Sequence, residues 1–162
     1  MKTPKQKTKN NNKEFIARLM AVQACYQMIY NKKPVQMVVE EYLAEGLQTD
    51  DELENIDEGT EVVRISDTIL PHGGLFKKIL YNLEDRRSEL KDILGAHINT
   101  AKDIEPLLQA VLLCGACEIL ENTKTDYPII LNDYLDITHE FYPQAQVAFV
   151  NGILDAVSKS LR

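Results

Sequence analysis

The sequence predicts an all-α fold, a compact bundle of about seven helices joined by short turns, and three observations carry that expectation. Apolar residues recur at steps of three and four along most of the chain, Leu107 to Leu120 is apolar nearly all round, and no stretch shows the apolar-polar alternation of a strand. The last of these excludes a sheet. The second places one helix in the middle, because a helix without a polar face must be covered on all sides.

The elements follow in order. Residues 1–13 are polar and hold Lys2, Lys5, Lys7, Lys9 and Lys13 with no acid. They lack the apolar surface to offset the entropy of ordering them, so they read as a disordered basic tail ahead of one helical domain, residues 14–162. From Glu14 the stripe Phe15, Leu19, Val22, Tyr26, Ile29 predicts a helix to about Asn31, with Ala17, Ala21 and Ala24 as helix formers between. Pro34 opens a second helix, Val35 to Ala44, after which Gly46 and an acidic stretch read as a loop. A third is expected over Glu58–Leu70, stopped by Pro71-His72-Gly73-Gly74. Leu75 to Leu94 reads as one further helix. Asn99-Thr100 with Asp103 supplies a cap, and Pro106 is tolerated in the first turn of the apolar helix that follows. Pro128 to Phe141 and Val147 to Leu161 complete the set, the last with Val150, Ile153, Leu154, Val157 and Leu161 on one stripe.

A chain of 162 residues, 44% hydrophobic and 27% charged, is one domain that folds without disulfide or metal. Three cysteines cannot all pair internally, which points to a reducing cytoplasm. The positive N-terminus lacks an apolar core of signal-peptide type, and no run reaches about 18 uninterrupted apolar residues, so the chain is expected to be neither exported nor membrane-spanning. The net charge of −7 is unevenly spread: five of the 18 basic residues lie in residues 1–13, and Glu40 to Glu61 contains no Lys or Arg. Nucleic acid would therefore have to meet the tail or a local patch, since the field of the whole molecule repels phosphate.

Catalysis has no visible carriers. Cys114-x-x-Cys117 has redox or zinc spacing, but both lie inside an apolar helix rather than at an exposed helix N-terminus, and no second ligand pair exists. With Cys25 they read as packed core. His72, His97 and His139 stand alone in sequence, and no glycine loop of nucleotide-binding type follows a strand. The acidic run lacks calcium-loop spacing. No cofactor and no enzymatic activity are expected; binding is.

Two stretches then carry a family resemblance. Ala17-Arg18-Leu19-Met20-Ala21-Val22-Gln23-Ala24-Cys25-Tyr26 is similar to the opening helix of the transcription antitermination NusB family. Glu118-Ile119-Leu120, Leu131-Asn132-Asp133-Tyr134-Leu135-Asp136 and Phe149-Val150-Asn151-Gly152-Ile153-Leu154-Asp155 resemble its C-terminal third. The resemblance covers residues 14 to 160 and implies seven helices in two small subbundles. It also implies a bacterial factor that binds the single-stranded boxA element of nascent ribosomal RNA jointly with the small-subunit ribosomal protein NusE, within the RNA polymerase antitermination complex. By position, Lys9, Lys13, Arg18, Gln23, Asn132, Phe149 and Asn151 resemble the RNA-facing side, and Tyr26 the surface that meets NusE. Such roles suit single-stranded RNA, whose bases stack on planar groups while cations meet its phosphates. Plainer readings stand beside them: Phe149 as core, Asn151-Gly152 as a close-packing pair, Tyr26 as part of the buried stripe.

The departures matter as well. Glu14-Phe15-Ile16, Leu113, Cys117 and Ala148 stand where the family commonly carries an arginine cluster, an arginine, a tyrosine and a lysine. Two alternatives follow. One is a NusB-like helical adaptor with weak or lost RNA binding. The other is an accessory domain related to ribosomal RNA methyltransferases, against which the sequence shows no Rossmann-like segment for a methyl donor. Monomer and homodimer both remain open.

Overall fold

The computed structural model describes the backbone of residues 3–54, 73–98 and 104–162 and the side chains of residues 13–44, 73–98 and 104–162. Seven helices and no strand occur among the described residues: α1 (Thr3–Tyr30), α2 (Val35–Glu54), α3 (Gly73–Asp85), α4 (Arg87–His97), α5 (Pro106–Glu121), α6 (Tyr127–Phe141) and α7 (Gln144–Leu161). They form two subbundles. Helices α1, α2 and α3 pack on one another, while α5 gathers α4, α6 and α7; the most extensive contact, between α1 and α5, is the seam joining the two groups.

Helix α5 sits where its composition predicts. Leu108 and every residue from Ala110 to Ile119 are buried. Pro106 occupies its first turn, where the missing N–H costs nothing. It meets α7 tightly at Gly115, where an added Cβ would lie 2.7 Å from Leu154 Cδ1. Glycine in a helix interior costs about 1 kcal/mol in propensity, and here it makes room for the Leu154 side chain of α7. The close-packing reading of Asn151-Gly152 is corrected by the same geometry: Gly152 is exposed, with nothing within 4 Å of its Cβ position.

Several boundaries differ from the sequence expectation. The backbone of α1 is already helical at Thr3, within the expected tail, because extending a nucleated helix adds one hydrogen bond per residue fixed and needs no burial. The inward face of α1 is also rotated from the predicted stripe. Ala17, Arg18, Ala21, Val22, Ala24, Cys25 and Met28 are buried, whereas Phe15, Leu19, Tyr26 and Ile29 are only partly so. The alanines are thus the contact surface, since small side chains let α1 and α5 approach closely.

Helix α2 runs through Gly46 to Glu54 instead of ending at Ala44; one glycine is too weak a breaker to stop it. The segment Leu75 to Leu94 is two helices, broken at Arg86 with φ −114° and ψ 21°. Backbone bonds Arg86 N–H to Asn82 O (3.0 Å) and Leu90 N–H to Arg86 O (2.8 Å) persist across the break, so it is a kink. Arg86 Nε lies 2.5 Å from Glu121 Oε2, which ties the kink to the end of α5. Gly73 and Gly74 open α3. The helix expected over Glu58–Leu70 and the cap expected at Asn99–Asp103 lie outside the described residues. No helix among the described residues is long and apolar enough to cross a membrane.

Candidate functional site

The one buried charge cluster of the described side chains lies on the α1–α5 seam, and Arg18 is its hub. Position 18 falls among the alanines of the inward face, so its side chain enters the core and is 0% exposed. Its guanidinium forks onto Glu118 of α5, Nε donating to Oε1 at 2.5 Å and Nη2 to Oε2 at 2.9 Å, while Nη1 donates to Asp133 Oδ2 of α6 at 2.8 Å. Glu14 Oε1 stands 3.5 Å from Nη1. Glu118 also accepts from the Tyr134 hydroxyl at 2.8 Å and from Asn122 Nδ2 at 2.8 Å. Planar, bidentate pairing is the geometry for which arginine is suited.

The electrostatics follow from burial and pairing. Desolvation works to lower the Arg18 pKa, but the hydrogen bond and charge of Glu118 outweigh it, so the group is held charged. The Tyr134 hydroxyl is pushed well up by burial and by Glu118, which keeps it a donor. Asp133 is raised from 3.8 to about 6, with burial outweighing the pull of Arg18. A carboxyl whose folded pKa is raised contributes stability below its unfolded pKa and loses it as pH rises through the folded value. We therefore expect the stability of the parent relative to Asp133→Asn to fall between pH 3.8 and about 6 and then level off. Denaturant midpoints across that range check it, and a difference independent of pH would contradict it.

Arg18 is thus corrected from an RNA-facing cation to an interior one, with its donors spent on carboxylates. The other residues divide. Lys9 lies outside the described side chains, and Lys13 is partly buried. Gln23 of α1, Asn132 of α6 and Asn151 of α7 are exposed, and their amides make no hydrogen bond among the described residues. Phe149 is partly buried against the core. Two positions along a helix turn by about 200°, so Phe149 and Asn151 leave α7 on opposite flanks and do not share one face. Gln23 and Asn151 are not on adjoining helices either: α1 and α7 meet through α5 and α6, on which both pack.

Tyr26 is partly buried and stacks on Tyr30, with ring centroids 5.3 Å apart and planes 7° from parallel. Tyr30 is 62% exposed. Gln23, Tyr26 and Tyr30 recur at steps of three and four on the outward side of α1, opposite the buried alanines. They form a planar, polar-tipped stripe, of which the sequence reading names Gln23 and Tyr26 but not Tyr30; the signal for Tyr30 was the 23-26-30 spacing itself.

The thiols are core. Cys25, Cys114 and Cys117 are free and buried. Burial pushes Cys114 well up and Cys117 to about 12, so both stay protonated. Cys117 Sγ donates to Ile79 O at 3.7 Å, a packing contact between α5 and α3.

A protein-family model described as NusB family matches residues 16–159. Over 149 residues the chain is 27% identical to the transcription antitermination protein NusB of Novosphingobium aromaticivorans, covering 90% of this chain and 93% of that protein. Over 169 residues it is 28% identical to the protein of the same name from Rhodospirillum rubrum, covering 98% and 90%. Among solved structures it superposes with a TM-score of 0.69 and 18% identity on a chain in the crystal structure of antitermination factors NusB and NusE in complex with double-stranded RNA, covering 91% of this chain and 97% of that one. It also superposes on T. maritima NusB with a TM-score of 0.68 and 16% identity, covering 90% and 89%.

Proposed function

The chain belongs to the NusB family, and from that premise we propose that it is a non-enzymatic transcription antitermination factor of the bacterial cytoplasm that binds single-stranded boxA RNA together with NusE and joins the RNA polymerase antitermination complex. The observation that carries this reading is the set of exposed, unengaged amides at Gln23, Asn132 and Asn151. Side-chain amides both donate and accept, which suits the edges of splayed bases. On α1 the Gln23 amide adjoins the Tyr26–Tyr30 stack, so RNA and NusE would meet edge to edge along one helix. Each partner would then present part of the other's binding surface. Phosphate contacts of boxA fall to the basic tail, including Lys9 and Lys13, because the Arg18 guanidinium is spent inside the core.

The second reading, an adaptor that has lost RNA binding, is favoured by the withdrawal of Arg18 into the core. One titration separates the two. With NusE present, boxA RNA is expected to bind more tightly than scrambled RNA, and Gln23→Ala to cost one hydrogen bond, about 1 kcal/mol or about fivefold, on boxA alone. Binding measured at two salt concentrations should weaken by a slope of about 0.7 per phosphate contact. If boxA and scrambled RNA bind alike, with Gln23→Ala indistinguishable from the parent, the adaptor reading stands.

A further inference from the structure

A cavity of about 460 Å³ opens beside the turn between α1 and α2, away from the Arg18 cluster. Its charge is opposite to that of the molecule. Lys32 and Lys33 of the turn, with Arg87 and Lys91 one helical turn apart on α4, converge on it, and among the described residues Glu84 is the one carboxylate in its lining. Little of this positive charge is spent among the described residues. Lys32 and Lys91 have no ion-pair partner among the described residues, and Lys33 meets Glu41 only at an exposed 3.3 Å. Arg87 reaches Glu84 at 3.8 Å, beyond hydrogen-bond distance, and its Nε is shielded from solvent with no acceptor. A shielded donor without a partner in a native fold calls for an explanation, and a site built to present that donor to an anion supplies one.

The backbone points the same way. Lys32 has φ 55°, in the left-handed region where the residue after a helix is ordinarily glycine or asparagine. Strain at a lysine on the rim of a cationic cavity is the kind found at ligand sites. The cavity is also larger than one phosphate needs, and Ile29, Val35 and Leu113 give it an apolar wall. Pockets of about 300–1,000 Å³ with apolar walls and a few converging polar groups are those that take small organic ligands.

We propose that this cavity binds a nucleoside polyphosphate, with the phosphates on Lys32, Lys33, Arg87 and Lys91 and the nucleoside against the Ile29, Val35 and Leu113 wall. The source is either a free nucleotide or the 5′-triphosphate end of an RNA. The site is independent of the boxA reading, because it shares no residue with Gln23, Asn132 or Asn151, and either can fail without the other.

Calorimetric titration of the full chain with ATP, GTP and inorganic pyrophosphate tests it. Lys32→Gly combined with Lys91→Gln should weaken nucleotide affinity at least tenfold. The unfolding midpoint should not fall, because glycine takes the left-handed conformation without strain and Lys91 is exposed. The same variant should leave Gln23-dependent boxA discrimination unchanged. Competition by a 5′-triphosphorylated oligonucleotide, with none by the same oligonucleotide bearing a 5′-hydroxyl, assigns the RNA-end source; no competition by either assigns the free nucleotide. Absence of nucleotide binding at millimolar concentration, or binding unaffected by the double variant, overturns the proposal. Pyrophosphate binding as tightly as ATP removes the nucleoside from it.

Discussion

Arg18→Ala is expected to lower stability by about 3–5 kcal/mol, because deleting one member of a buried ion cluster leaves the others charged and unpaired in a medium that solvates them poorly. Glu118 would keep its Tyr134 and Asn122 donors but lose both guanidinium bonds, and Asp133 would lose its cation. The deficit carries a pH signature. Removing the guanidinium leaves uncompensated negative charge in the core, so part of the lost stability returns as pH falls and protonation removes that charge. Urea unfolding of parent and variant at neutral and mildly acid pH reads both effects. A loss under about 1 kcal/mol, or one that grows on acidification, would show that the cluster does not act as a unit. Loss of RNA binding in this variant would report the fold and not a phosphate contact, which is why Gln23→Ala is the better functional probe.

Leu112→Ala is expected to cost about 2–5 kcal/mol, the sum of lost burial and the cavity left behind. Leu112 is 1% exposed at the centre of α5, which has neighbours on every side and little freedom to collapse. Met37→Ala, at a side chain 46% exposed on α2, is the matched control and should fall within about 0.5 kcal/mol of the parent. Equal denaturation midpoints for the two variants would remove α5 from the centre of the fold.

Where the sequence was legible, the reason was local. The surround of α5 follows from its composition alone, and the start of α6 and the presence of α7 follow from proline and from apolar spacing. The kink at Arg86 was not legible, because leucines at 83 and 90 suit a straight helix and a broken one equally; the difference is made by Glu121, which is close only in space. The Arg18 cluster was half legible. A glutamate inside an otherwise apolar helix requires a buried partner, so Glu118 announced that a cation was missing from view, but nothing local indicates that it stands 100 residues away. The alanine face of α1 was misassigned for a related cause: periodicity weighs large side chains, while close helix packing selects small ones.

The separations of 100 and 115 residues between Arg18 and its two carboxylates also constrain the order of events as the chain is made. Synthesis delivers α1 first, with its guanidinium, and α5 and α6 only much later, with the groups that neutralise it. Until those helices emerge, burying the inward face of α1 would bury an unanswered charge, so docking is disfavoured while the partners are missing. Joining distant segments also costs loop-closure entropy before any contact rewards it. Docking of the N-terminal helix is therefore expected to wait for α5 and α6, and a nascent chain halted before Glu118 lacks the carboxylates that answer Arg18.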